Sequence, residues 1–307
     1  INIQKFDVRT ASLSATGSLE LDDDHRLARL SVSKFEHGRD AVSGTVTPRP
    51  EGGLNVDVTG RAFDITPFLD DDDGPETAPP TLPKLHISAK LDRVWFDEQK
   101  SLDSVSGQLV GDGEGWQKLD IAGQVDGTGE LRLSYTAVPL PTLKVTSNNA
   151  GATFRNLGII DTMQGGTLTL QARKADSKRP QMWAGDLDVA NFVMVKAPVL
   201  AKALTNLSLT GIQNNLAGKG IQFAKMDIPF QFENDLLTIT NARSVGSELG
   251  ITAEGQVHRA KDSVERKGPI VPAYTINSVL GNIPVLGTLF TGKKGSGVFA
   301  ATYQIGG

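Results

Sequence analysis

The sequence predicts a mainly β protein: a long, twisted antiparallel sheet left incompletely closed, with short amphipathic helices near its C-terminal end. Three observations carry that expectation. Apolar and polar residues alternate with period two over most of the 307 residues, the pattern of strands with one half-buried face. Strand-ending glycines recur at fixed offsets. Val42-Ser-Gly44 and Val58-Thr-Gly60 lie sixteen residues apart, as do Val105-Ser-Gly107 and Ile121-Ala-Gly123, and a shift of 63 lays Val56-Asp-Val-Thr-Gly60 over Leu119-Asp-Ile-Ala-Gly123. Such repetition favours an array of similar strand pairs over one closed domain. Finally, 33 glycines with only 6% aromatic residues favour many short strands and turns.

In chain order, residues 1–69 read as a first strand-rich segment. Ala11 to Leu21 and Arg26 to Phe35 alternate around the turn Asp22-Asp-Asp24, and Val42 to Val46 and Leu54 to Gly60 follow. Residues 70–83 are acidic and proline-rich, opening with Asp70-Asp-Asp-Asp73, and read as a solvated linker or loop because like charges repel and prolines lack a donor. A calcium loop would need alternating carboxylates and a terminal glutamate, which this run lacks. Residues 84–184 form a second strand-rich segment that includes Gly129 to Tyr135, Thr142 to Thr146 and Gly166 to Ala172, with a helical turn expected over Thr153 to Met163.

Residues 185–307 contain two helical inserts among strands at Gly185–Phe192, Ile228–Phe232, Leu236–Thr240 and Gly250–Glu254. The first insert, Ala197 to Gly218, opens on a proline and closes on a glycine, with Leu200, Leu204 and Leu207 on one face. The second places Ile276, Val279, Leu280, Ile283, Leu286, Leu289 and Phe290 at helical spacing, with a break before Pro284. Neither half of it reaches the roughly 20 apolar residues of a membrane span. Two uses of these faces stay open: covering the end of a sheet, or lying against lipid or a partner.

Composition narrows the function. Net charge is −4, and residues 1–80 hold 15 Asp/Glu against 8 Lys/Arg, whereas residues 256–307 carry Arg259, Lys261, Arg266, Lys267, Lys293 and Lys294 against Asp262 and Glu265. An acidic total without a basic stripe interleaved with aromatics argues against nucleic acid. The amphipathic end is also the cationic end, a pairing that an anionic membrane surface would attract. There is no cysteine, and His25, His37, His86 and His258 show no close pairing, so no metal site is expected. Gly292-Lys-Lys-Gly-Ser-Gly297 follows a helical pattern and precedes a strand, the reverse of a phosphate-binding loop. With no nucleophile elbow or isolated carboxylate pair, neither an enzyme nor a cofactor is expected.

From Gly185 onward the order of features resembles the C-terminal region of the AsmA-like family. The matching stretches are Ala197-Pro-Val-Leu-Ala-Lys-Ala-Leu204, Leu207-Ser-Leu-Thr-Gly211, Gly218-Lys-Gly-Ile-Gln-Phe223, Leu249-Gly-Ile-Thr-Ala-Glu-Gly255, Gly268 to Gly287, and Val298-Phe-Ala-Ala-Thr-Tyr303. Lys293-Lys294 departs from the more acidic or glycine-rich turn of that family. Residues 1–184 agree only in strand-and-glycine character. The resemblance implies a bridge-type lipid transfer protein of the Gram-negative envelope, lying in the periplasm and anchored in the inner membrane by a segment outside this sequence. It would carry phospholipid between inner and outer membrane along a β-sheet groove or trough, supporting outer-membrane lipid homeostasis. Its partners would be phospholipid, a membrane surface and envelope proteins. The alternative from the same setting is an envelope scaffold or outer-membrane assembly factor that binds proteins rather than lipid.

On the lipid reading, acyl chains would contact one face of the strands, for which the candidates are Val56, Val58, Leu119, Ile121, Leu131, Leu133, Leu168, Leu170, Leu237 and Ile239. Leu200, Leu204, Leu207, the Ile276 to Phe290 face, Lys293 and Lys294 would dock on a membrane or partner. A continuous apolar surface is an energetic requirement. Exposing the roughly 30 methylenes of a two-tailed lipid to water costs on the order of 20 kcal/mol or more.

Overall fold

The structure, a computed structural model, describes residues 1–69, 83–175, 181–206, 210–258, 263–272 and 301–306. The chain divides into two compact units, 1–147 and 148–307. This boundary differs from the segmentation expected from composition, which separates the strands on either side of the acidic run. The reason is strand pairing across that run, described next.

Unit 1 contains ten strands: β1 (Asn2–Arg9), β2 (Leu13–Leu21), β3 (Leu27–His37), β4 (Asp40–Pro48), β5 (Leu54–Asp64), β6 (Leu85–Trp95), β7 (Ser101–Gly111), β8 (Trp116–Val125), β9 (Gly129–Thr136) and β10 (Thr142–Ser147). Each pairs with the next, and every pair is antiparallel except β5 with β6. Those two run parallel from Leu54 beside Leu85 to Asp64 beside Trp95, without a register shift. Parallel neighbours need a longer connection than a hairpin, and 20 residues, 65–84, separate β5 from β6 in the sequence; of the acidic run expected to form a linker, residues 70–82 lie outside the described residues. The expected all-antiparallel order therefore holds on either side of a single parallel step. β1 pairs with β2, and the sheet is not closed.

The hairpins follow local chemistry. Between β8 and β9, Asp126 and Gly127 both have positive φ, 49° and 71°, as a type I′ turn requires. Its twist matches that of the strands it joins.

Unit 2 opens with helix α1 (Ala150–Asn156), whose first turn is capped by the Asn149 side chain accepting from the Ala152 N–H at 3.1 Å. Then come β11 (Met163–Lys174), β12 (Trp183–Met194), α2 (Pro198–Asn206), α3 (Thr210–Ala217), β13 (Ile221–Glu233), β14 (Leu236–Gly246), β15 (Leu249–His258), β16 (Ser263–Pro272) and β17 (Ala301–Gly306). These seven strands pair in sequence order, all antiparallel. The helices lie on one end of one sheet face. Leu200, Leu204 and Leu216 meet Leu168, Val189, Phe192, Ile221, Phe223 and Leu249 in a buried core, with the Phe192 and Phe223 rings stacked at 5.2 Å. No helix among the described residues is long and apolar enough to cross a membrane.

Candidate functional site: an apolar sheet face

Side chains of directly paired residues share a face, so the strand registers define rows running across the sheet. In unit 1 one such row reads Ile3, Leu19, Leu30, Val46, Val56, Ile87, Leu109, Leu119, Tyr135 and Leu143, one residue from each of the ten strands. Two residues along each strand, or three in β1 where a bulge intervenes, the next row reads Phe6, Gly17, Val32, Gly44, Val58, Ala89, Gly107, Ile121, Leu133 and Val145. Between them runs a row on the opposite face: Ser18, Ser31, Thr45, Asp57, Ser88, Gln108, Asp120, Ser134 and Lys144. One face is apolar from edge to edge and the other is polar. Bulges in several strands absorb local mismatches without breaking the rows.

The apolar face of unit 1 is not covered by a core. Among the described residues of this unit only Leu91, Val105 and Val125 are buried large apolar side chains, and the hydrophobic core cluster lies wholly in unit 2. Val46, Val56, Ile87, Leu109, Leu119, Ile121 and Leu133 are all half-buried. Nine strand spacings of about 4.8 Å by about 20 Å of strand give a face on the order of 900 Å². The largest apolar patch on an ordinary monomer is about 300–600 Å².

The structure brings six of the ten groove candidates onto this face: Val56 and Leu119 in one row, Val58, Ile121 and Leu133 in the next, and Leu131 beyond, paired to Ser147. In unit 2, Leu168 pairs with Val189, and Leu170 with Leu187. Leu168 lies in the core under the helices, so it is not open to a ligand; Leu170, Leu237 and Ile239 are half-buried. Sequence reasoning left out Leu54, Leu85, Ile87, Leu109, Tyr135 and Leu143, although the alternation in Leu85-His-Ile-Ser-Ala-Lys-Leu91 carried the signal.

The docking candidates fare differently. Leu200 and Leu204 are buried against β11, β12 and β13, so the apolar face of α2 covers the sheet instead of meeting a membrane. Leu207 and the stretch carrying Ile276, Val279, Leu280, Ile283, Leu286, Leu289, Phe290, Lys293 and Lys294 lie outside the described residues.

The polar face has its own features. A depression of about 550 Å³ on β6 to β10 is lined by Lys90, Gln108, Asp120, Arg132 and Lys144 together with Ile121, Ala122 and Leu133. In unit 2, Asp188 stands directly opposite Asp227. Hydrogen bonding and repulsion between the two carboxyl groups raise Asp188 above its ordinary value, while the hydrogen bond from Lys225 lowers Asp227.

No family model matches the chain, and no curated protein or solved structure does either.

Proposed function

We propose that the protein holds phospholipid acyl chains on the apolar face of its strands and so carries lipid between membranes. The observation that carries this is the pair of uninterrupted apolar rows across all ten strands of unit 1, with no core packed over them. A hydrocarbon chain needs unbroken apolar surroundings along its path, and a half-buried apolar face of that extent offers them. Continuity from strand to strand supplies a path along which a chain can slide without meeting water. The resemblance of residues 185–307 to the AsmA-like family supports a setting between the inner and outer membranes of a Gram-negative envelope.

The experiment is native mass spectrometry of the purified chain together with analysis of its organic extract, followed by transfer of fluorescent phospholipid between donor and acceptor vesicles. Bound phospholipid at fixed stoichiometry and accelerated transfer are expected. A lipid-free protein that leaves transfer at the spontaneous rate would reject the proposal and favour a protein-binding scaffold.

A further inference from the structure

The depression on β6 to β10 opens on the polar face of unit 1, and its charge is one-sided. Nine of its thirteen lining residues belong to two neighbouring polar rows. The first row runs Lys90, Ser106, Ala122, Arg132 and Thr146, and the second supplies Gln108, Asp120, Ser134 and Lys144. Within the first row only a hydroxymethyl and a methyl group, on Ser106 and Ala122, separate Lys90 from Arg132, so small side chains make the floor and long ones the rim. Three strand spacings, about 14 Å, part those two backbones, and Lys144 stands diagonal to Arg132 on the next strand. Three cations thus face one carboxylate, in a chain whose net charge is −4. That carboxylate is engaged from outside the depression, where Lys118 pairs with Asp120 at 2.7 Å. Neither Lys90 nor Lys144 is held by a carboxylate among the described residues. Arg132 meets Glu130 at 3.8 Å, with the two side chains 70% and 61% exposed, a pairing worth little in water.

We propose that this depression binds a phosphate monoester. It lies on the face opposite the one that would carry acyl chains, so the inference does not rest on the lipid reading above. Its volume of about 550 Å³ falls within the roughly 300–1,000 Å³ of small-molecule sites. Such sites are mostly apolar, whereas this one is rimmed by charge and hydroxyls, which suits a polar anion. A monoester brings close to two negative charges and three acceptor oxygens, a carboxylate one charge and two oxygens. Cations from three strands match the first better than the second. Arg132 offers a planar fork to two phosphate oxygens and the two lysines offer point charges. The hydroxyls of Ser106, Ser134 and Thr146 lie in the same lining and can donate to the oxygens that remain.

Titration calorimetry of the full chain at low salt, with glucose 6-phosphate, glucuronate and glucose, tests the site. Saturable binding of the phosphate ester is expected, with weaker binding of glucuronate and none of glucose. Lys90→Gln, Arg132→Gln and Lys144→Gln, all at exposed positions, should each weaken it about threefold. Ala122→Leu fills the floor without changing charge and should abolish it. Arg29→Gln removes an exposed cation from β3 of the same face and should leave it unchanged. Circular dichroism checks that each variant keeps its strands. Vesicles of phosphatidylcholine containing phosphatidic acid separate a lipid headgroup from a soluble ester. Sedimentation with these but not with pure phosphatidylcholine, lost in the triple Gln variant, assigns the monoester to a lipid; binding of glucose 6-phosphate alone assigns it to a soluble ligand. Failure of both to bind overturns the proposal. So does glucuronate binding as tightly as the ester, an Arg29 variant weakened as much as the other three, or an Ala122→Leu variant that binds like the parent.

Discussion

The guanidinium carbon of Arg39 stands 5.0 Å from the centre of the Trp95 ring and ties the β3–β4 turn to β6 across the whole width of β5. The same side chain donates to the backbone carbonyls of Asp97 at 3.3 Å and Glu98 at 3.0 Å. Replacing Arg39 with Ala removes the ring contact and both hydrogen bonds, with an expected loss of about 1–2 kcal/mol. Urea unfolding compares this variant with Arg39→Lys, which keeps the charge but not the planar fork. A Lys variant as stable as the parent would show that charge alone holds the turn.

Photocrosslinking residues placed at Val58, Ile121 and Leu133 should capture phospholipid from vesicles, because all three share one apolar row. The same residues at Asp57, Asp120 and Ser134 face the other way and should capture none. Mass spectrometry of the adducts reads the outcome, and equal labelling of the two sets would contradict the assignment of faces.

Leu204 is fully buried beneath α3 and the sheet, so Leu204→Ala should cost about 2–5 kcal/mol. Leu131→Ala, on the half-open face of unit 1, should cost about 1 kcal/mol or less. Chemical denaturation followed by circular dichroism checks both. A mild Leu204 variant that loses only membrane binding would restore the docking role of α2.

Asp112 accepts from the Glu114 and Gly115 N–H groups, both at 2.9 Å, and these hydrogen bonds hold its carboxyl below the usual range. Because the folded value is depressed, its contribution to the β7–β8 turn is present above about pH 4 and lost as pH falls through the folded value. Amide exchange at Glu114 and Gly115, corrected for intrinsic pH dependence, should therefore quicken on acidification. Asp112→Asn should show quickened exchange at neutral pH and no further change in acid.

Asp188→Asn removes a like charge from directly opposite Asp227 and should stabilise unit 2 by roughly a few tenths of a kcal/mol at neutral pH. The sign follows from the raised value of Asp188: what stability it brings is present when it is protonated and lost as pH rises through its folded value. The gain from the substitution should accordingly fade below that value. Melting temperatures across pH test it.

The strands were legible because alternation is local. Val56 and Leu119, matched by the 63-residue offset, fall in one row, and Val58 and Ile121 in the next. The parallel pairing of β5 with β6 was not legible, since nothing within either strand records which way its neighbour runs. The Arg39–Trp95 contact joins residues far apart in sequence whose types give no hint of each other. For α2 the apolar face was visible in Leu200 and Leu204, but periodicity alone does not tell a sheet from a membrane as the surface it covers.

The parallel step between β5 and β6 has a geometric consequence. In an uninterrupted meander, strands three places apart run in opposite directions, so the pair β4–β5 and its counterpart β7–β8 would be related by a half-turn. One parallel junction between them restores the same direction, and the two pairs become related by translation. Gly44 and Gly107 then stand at the same height, as do Val58 and Ile121. A copy of the pair added by duplication through such a junction keeps its greasy side and its two margins aligned with all the others. Lengthening by gene duplication then leaves the cross-section unchanged, and whatever fits one stretch fits the next.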